Sequence, residues 1–395
     1  MSVARKKNPP VLVVGGGLGG LAAALSLWRK GVDYRVLERA DTLVPHDAGI
    51  LLENNASAVI GSLGLREEIK GLGAPVVATE VRRKDGAVLF RIDNVAGQKP
   101  YGGPAYGLRL RALAKLFADA LAPEKIRTGV SVEGLDVGAD GVRVRLKGGE
   151  VVEGYAVVGA DGAGSVARAS VFGDAGLKDA GVIVRHGVAA GEGLPELNEA
   201  REDFDGDRRF GWYPLPGGAI GWYVVERGPV GGARPGTRVD AGADLAGLTS
   251  ALGGWPAPVA RILAATAPAL TWRSNLWTLP PLKTWVRGRV ALLGEAAHPM
   301  PPNLGLNVGQ VLEDAVVLGQ QLAEASGVED GFARYNEARV KRAHWVSEQA
   351  LQLAGVPSGG GLLRSVRAAW WDKRPASMQT AWEAKLLTPP IKRLG

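Results

Sequence analysis

The chain predicts an α/β fold built on a parallel sheet, with a second, mostly antiparallel β region and a helical C-terminal segment. Three observations carry this expectation. A glycine-rich turn separates an apolar run from a helix-like stretch near the N-terminus; two further apolar runs end in acidic residues at Asp161 and Glu295; and a tract of alternating aromatic residues lies between those two.

The first elements in order are the run Val11-Leu12-Val13-Val14, which reads as a buried strand, and residues 21–28, which read as a helix. Between them stands Gly15-Gly16-Gly17-Leu18-Gly19-Gly20. Gly15 permits the tight turn, Gly17 lets the backbone approach a pyrophosphate, and Gly20 lets the helix lie close to the strand. Exposed N–H groups and the helix dipole then face two phosphates. A second strand, Tyr34-Arg35-Val36-Leu37, ends at Glu38, followed by Arg39. That spacing of about 20 residues is where a carboxylate accepts hydrogen bonds from ribose hydroxyls. Gly15, Gly17, Leu18, Gly19, Gly20, Glu38 and Arg39 are therefore read as a dinucleotide site. The fingerprint alone leaves FAD and NAD(P) open, because both present the same ADP half.

Residues 76–92 alternate apolar and polar across Asp85-Gly86, a hairpin signal. Residues 107–121, opening Gly107-Leu108-Arg109-Leu110-Arg111, predict a helix from the spacing of their apolar positions. Residues 130–155 read as short strands joined by glycine turns, returning the chain to the apolar run before Asp161. Residues 182–272 form a different region. There, 210–225 read as a hairpin turning at Pro216-Gly217-Gly218, with Trp212, Tyr213, Trp222 and Tyr223 alternating between faces. Packing alone also accounts for any one of these aromatics. After Glu313 the chain reads as helical to about residue 353; Pro357-Ser358-Gly359-Gly360-Gly361 then marks a linker into a tail holding Trp370, Trp371 and Trp382.

The 395 residues, 46% of them hydrophobic, suffice for two or three domains. No apolar run approaches the roughly 18 residues of a spanning helix, and the basic N-terminus passes straight into the first strand, which predicts a cytoplasmic protein without stable membrane association. The absence of cysteine excludes disulfides, thiolate metal sites and flavin linkage through sulfur. Four histidines, scattered along the chain, predict no metal centre. The net charge of +7 comes from dispersed residues rather than a basic stripe, so nucleic acid is not an expected partner; a positive field suits a nicotinamide nucleotide and an anionic substrate.

Two further motifs separate the alternatives. Val157-Val158-Gly159-Ala160-Asp161-Gly162 and Leu293-Gly294-Glu295-Ala296-Ala297-His298-Pro299, with Glu313-Asp314 on a following helix, join the glycine turn in order and at matching intervals. Together they resemble the class A FAD-dependent aromatic hydroxylases, the family of 4-hydroxybenzoate, salicylate and urate hydroxylases, over most of the chain. The resemblance implies a Rossmann-like FAD-binding domain assembled from 1–75, 100–178 and 273–330, a substrate-binding sheet from 76–99 and 179–272, and a C-terminal helical region from 331. It implies non-covalent FAD on the glycine turn and Glu38, with Asp161 serving the pyrophosphate region and Gly49 and Ile50 beside the isoalloxazine. Arg109 and Arg111 are alternative flavin contacts. Position 295 matches an Asp that binds the ribityl chain and is Glu here. Pro302, Gly305, Leu306 and Asn307 match the segment that aims a helix N-terminus at the flavin, with Leu306 and Asn307 replacing the family's Gln and Gly. Arg185, His186, Tyr213, Tyr223 and Pro299 are candidates for substrate contacts.

The activity so implied uses NADH or NADPH and O2 to hydroxylate a small aromatic substrate through a flavin C4a-hydroperoxide, in a monomer or homodimer. No dedicated acid–base constellation is required, since the cofactor carries the chemistry. The same fold also hosts flavin-dependent reductases, cyclases and epoxidases, and a non-catalytic flavoprotein is a further alternative.

Overall fold

The computed structural model describes residues 9–390 apart from 45, 174, 207, 232, 233, 236, 241, 302–305 and 354–375. Pro302, Gly305, the linker at 357–361 and the pair Trp370-Trp371 lie outside the described residues.

Among the described residues the first sheet has six strands, in the order Val286–Arg287, Val290–Leu292, Ala156–Gly159, Val11–Val14, Tyr34–Leu37 and Ile126–Arg127. All pair in parallel except Val286–Arg287, which runs antiparallel to Val290–Leu292. The central runs VLVV and AVVG are buried at every position, as strands covered on both faces must be. The helices Leu18–Arg29 and Leu306–Glu324 pack against each other, and a small antiparallel sheet of Val132–Val137, Val142–Leu146 and Val151–Gly154 packs through its first strand on the helix Val166–Phe172.

An eight-stranded sheet follows the order Val239–Asp240, Trp272–Thr278, Lys178–Ala189, Ile220–Arg227, Arg208–Pro214, Glu199–Asp205, Ala78–Arg83 and Val88–Asp93. Its pairings are antiparallel except that Glu199–Asp205 runs parallel to Ala78–Arg83. The hairpin register puts Trp212 opposite Trp222, while Tyr213 lies opposite Gly221 and Tyr223 opposite Gly211. Period-two alternation thus gives each face its own chemistry. Tyr213 and Tyr223 join Val184 and Leu276 on one side; Phe210, Trp212 and Trp222 pack on the helices Leu245–Ala251 and Ala257–Ala264 on the other.

Two local expectations are corrected. The helix expected from residue 107 starts at Leu110, because Ala105–Arg109 is a strand paired between Gly49–Leu52 and Ala74–Val76. The helical run after Glu313 is broken into Leu306–Glu324 and Val328–Leu353, with Gly327 in the break. A further helix, Ala376–Leu387, carries Trp382, whose ring meets Phe90 edge-on at 5.8 Å. No helix of the described residues is long and apolar enough to cross a membrane.

Candidate functional site

The site begins at the turn. Gly15 has φ +106, a left-handed value, and its N–H bonds to the Leu37 carbonyl at 2.8 Å; a Cβ here would strike the Ala160 carbonyl group. At Gly20 a Cβ would collide with the Gly15 carbonyl oxygen, whereas at Gly17 it would meet nothing within 4 Å. Gly20 is thus required by packing inside the turn, while a side chain at Gly17 would enter open space. Gly17 also caps the helix Leu18–Arg29 without any side-chain hydrogen bond, so the first N–H groups remain available. Glu38 closes this corner: its two oxygens accept from Gly16 N–H at 2.5 Å and Ala40 N–H at 2.8 Å.

A cavity of about 420 Å³ extends from this turn to the tyrosine face of the eight-stranded sheet. Gly16, Gly17, Leu18, Gly19 and Glu38 line one end, Gly49 and Ile50 a side wall, and Tyr213, Tyr223, His186 and Trp272 the roof. The roof is a row across adjacent strands. Tyr223 pairs in register with His186 and His186 with Trp272, and the last two rings stack at 4.2 Å between centroids. The Arg238 guanidinium lies over the Trp272 ring, 4.4 Å from its centroid. Burial, aided by Arg238, pulls the His186 pKa down to about 3, which keeps the imidazole neutral. Burial raises the Tyr223 hydroxyl well above 10, and Glu202, which accepts its hydrogen bond at 2.5 Å, adds to the shift. Burial likewise raises Tyr213, whose hydroxyl has no hydrogen-bond partner among the described residues.

The third wall is the turn after Val290–Leu292, holding Glu295, Pro299 and Met300, and the start of the helix Leu306–Glu324, holding Asn307, Val308 and Val311. Glu295 lines the cavity with an exposed side chain; the protein around it raises its pKa by desolvation, opposed by attraction to Arg238 and His298. The turn is fixed from behind. Asp314 accepts from Gly294 N–H at 3.0 Å, lies 2.6 Å from His298 Nε2, and accepts from Arg339 Nε at 2.7 Å. Arg339 also donates to Glu313 at 2.6 Å, and Glu313 accepts from Asn55 at 2.9 Å. The Glu313-Asp314 pair of the sequence motif is therefore the anchor of a buried ionic network.

The remaining anticipated residues are placed as follows. Gly15 and Gly20 lie inside the turn, and Arg39 is exposed beyond the cavity wall. Asp161 accepts from the Ser165 hydroxyl at 2.5 Å and Ala167 N–H at 3.1 Å, at the start of the helix Val166–Phe172, while its neighbours Ala160 and Gly162 line the cavity. Arg109 pairs with Asp47 at 2.8 Å, and Arg111, exposed, donates to the Val44 carbonyl at 3.4 Å. Arg185, next to His186, points to the opposite side and pairs with Glu226 and Asp244. Leu306 is buried beside Met300 in the cluster that includes Trp382. Arg238 and Trp272 were not anticipated as site residues. Neither belongs to a motif, and their meeting depends on the pairing of Val239–Asp240 with Trp272–Thr278. Among the described residues no cluster of His, Asp or Glu is arranged to hold a metal.

The FAD binding domain family matches residues 8–185 and 275–350. An aurachin C monooxygenase/isomerase of Stigmatella aurantiaca is 30% identical over 86% of this chain and 87% of its own length. A 3-amino-4-hydroxybenzoate 2-monooxygenase of Streptomyces platensis is 30% identical over 87% of each. The solved structure of Klebsiella pneumoniae HpxO with FAD and uric acid covers 100% of both chains at TM-score 0.85 and 23% identity, a likeness of fold.

Proposed function

The chain belongs to the FAD binding domain family and is an FAD-dependent monooxygenase; on that premise we propose that it uses NADH or NADPH and O2 to hydroxylate a small aromatic or heteroaromatic substrate. The observation that carries this reading is the single cavity joining the glycine turn to the aromatic roof. Bound FAD supplies the redox chemistry, accepting hydride from the nicotinamide and using O2 to oxygenate an electron-rich ring.

The residues present fit that cofactor. The space before Gly17, together with the uncapped helix behind it, suits a pyrophosphate. Glu38 holds the ribose hydroxyls, and Glu295 takes a hydroxyl of the ribityl chain. The start of the helix Leu306–Glu324, at Asn307 and Val308, offers N–H groups and a positive dipole end to an accumulating negative charge. Gly49 and Ile50 form the side wall against the ring system. Tyr213, Tyr223, His186 and Trp272 exclude water and orient the substrate from above. In this reading the six-stranded sheet belongs to the cofactor-binding unit and the eight-stranded sheet to the substrate-binding unit, and the nicotinamide nucleotide visits the same cavity transiently.

The test is the absorbance of the purified protein in the flavin bands, followed by NADH and NADPH oxidation with a panel of aromatic compounds. A flavin spectrum and oxidation stimulated by an aromatic, with product formed, are expected. Colourless protein that takes up no added FAD would overturn the reading, and NAD(P)H oxidation at one rate with every aromatic, yielding only peroxide, would favour a flavin-dependent reductase.

A further inference from the structure

The buried network behind the cavity reaches the C-terminal helix through one side chain. Glu313 accepts from Arg342 Nε at 2.7 Å and from Arg342 Nη2 at 2.8 Å, a two-pronged pairing beside its bonds from Arg339 and Asn55. The same guanidinium turns its other side to the end of the helix Ala376–Leu387. Its Nη1 donates to the Lys385 carbonyl at 2.7 Å, and its Nη2 to the Leu386 carbonyl at 2.9 Å. Carbonyls in the last turn of a helix have no partner within it and form the negative end of its dipole, so Arg342 caps this helix as well as pairing with Glu313. Away from the cavity, Trp382 of the helix meets Phe90 and donates to Gln349 at 3.0 Å, and Glu383 accepts from Tyr101 at 3.3 Å. On its inner side, Glu313 governs two parts of the cavity wall. It holds Asn55, whose amide nitrogen lies 2.8 Å from a Cβ built at Gly309, in the first turn of the helix that presents Asn307 and Val308. Its neighbour Asp314 holds the Gly294 N–H beside Glu295.

We propose that Arg342 is a positioning residue for FAD: it ties docking of the C-terminal helix to the wall that meets the cofactor, so that docking and FAD binding strengthen each other. The inference rests on FAD occupying this cavity. Arg342 is not among the residues lining the cavity, and it acts through Glu313. Undocking the helix strips two carbonyls from the guanidinium and returns rotamer freedom to a long side chain, which loosens its hold on Glu313 and hence on Asn55 and the first turn of Leu306–Glu324. The coupling is reciprocal by necessity: the factor by which docking raises FAD affinity is the factor by which FAD stabilises docking.

The experiment is hydrogen exchange read by mass spectrometry on the full chain, with and without saturating FAD, alongside FAD titration. In wild type, FAD is expected to slow exchange across 376–387 roughly 5- to 50-fold more than across the small antiparallel sheet, 132–154, which reports any overall stabilisation. Arg342→Gln removes that extra slowing and weakens FAD binding by about the same factor, while Arg342→Lys, which keeps the charge without the fork, restores part of both. Trp382→Ala loosens the helix from the Phe90 side and also weakens FAD binding, and the double variant binds no worse than Arg342→Gln alone, because both changes cut one link. A merely structural Arg342 would lower the urea midpoint of the FAD-free protein and leave the effect of FAD on 376–387 intact, and that result overturns the proposal. Equal slowing of both segments in wild type overturns it too, as do additive losses in the double variant. If Arg342→Gln does not fold, the wild-type comparison and Trp382→Ala decide the matter by themselves. Wild-type protein that takes up no FAD would remove the reading beneath this one, whereas FAD-loaded protein without the extra slowing removes this inference alone.

Discussion

Asp314 and Arg339 form a fully buried ion pair, 2.7 Å between Oδ1 and Nε, that joins the helix after the cavity to the next helix. Burial on its own would raise the Asp314 pKa, but His298 and Arg339 outweigh it and hold the carboxyl below its ordinary value. The same carboxylate binds the Gly294 N–H, so the turn presenting Glu295 is positioned by a charge pair behind it.

Arg339→Met is therefore expected to leave buried Asp314 with His298, and buried Glu313 with Arg342, as the remaining charged partner, at a cost of about 3 kcal/mol. Urea denaturation should read this as a lower midpoint, and FAD content should fall with it as the turn loosens. A midpoint equal to wild type would show that the pair adds nothing.

Gly17 and Gly20 separate cofactor binding from folding. Gly17→Val is expected to leave the melting temperature of the FAD-free protein unchanged while abolishing FAD binding, because the side chain enters open space. Gly20→Val should lower the melting temperature itself, since its Cβ meets the Gly15 carbonyl oxygen. Fluorescence melts and flavin titration of both variants distinguish the two effects.

Glu295→Ala should weaken FAD binding by roughly 1–3 kcal/mol through loss of a charge-assisted hydrogen bond, while Glu295→Asp leaves it unchanged or tightens it. Equilibrium titration of the FAD-free protein checks both, and wild-type affinity in the Ala variant would remove Glu295 from the ribityl contact.

Glu53 gives a pH signature. Burial pushes its pKa up from 4.5 to about 8, although a hydrogen bond from Thr79 opposes the rise. The folded state then holds a proton that the unfolded state has released, so this contribution to stability is complete below about pH 4.5 and is lost as pH rises toward 8. The loss is up to about 1.4 kcal/mol per pH unit across that window. Glu53→Gln should consequently gain stability relative to wild type between pH 5 and 8, measured as the difference in denaturation free energy at each pH. A difference that does not change with pH would refute the assignment.

Tyr213 and Tyr223 share a sheet face but carry different loads. Tyr223→Phe leaves the carboxylate of Glu202 buried with Arg209 as its remaining side-chain partner, which should cost about 1–3 kcal/mol of stability. Tyr213→Phe removes a hydroxyl with no partner and should preserve stability while changing the ratio of NAD(P)H oxidised to product formed. Denaturation curves and coupling measurements on the two variants should therefore diverge.

The parts of this site legible in the sequence are those set by near neighbours. The glycine turn and Glu38 needed only strand, turn and strand in succession, and the division of Tyr213 and Tyr223 from Trp212 and Trp222 needed only period-two alternation. Arg109 and Arg111 were indistinguishable until strand pairing brought Asp47 beside Arg109. Glu313-Asp314 was readable as a motif, but its purpose depends on Arg339 in another helix. Arg238 carried no signal at all, since its environment is made by strands distant in sequence.

The eight-stranded sheet takes the hairpin of Ala78–Arg83 and Val88–Asp93 from the early chain and lays its first strand parallel to Glu199–Asp205, while the six-stranded sheet is completed only by Val286–Arg287 and Val290–Leu292. During synthesis, the eight-stranded sheet cannot be finished until Trp272–Thr278 has left the ribosome, nor the six-stranded sheet until Val290–Leu292 has, and the first strands must wait with their edges unpaired. Inheritance meets the same obstacle. A single recombination crossover cannot transplant the eight-stranded sheet onto another cofactor-binding base, because that sheet is encoded in two separated stretches, 78–93 and 178–278. Substrate range in such a chain is therefore altered more readily by point changes on the cavity wall than by exchange of whole modules.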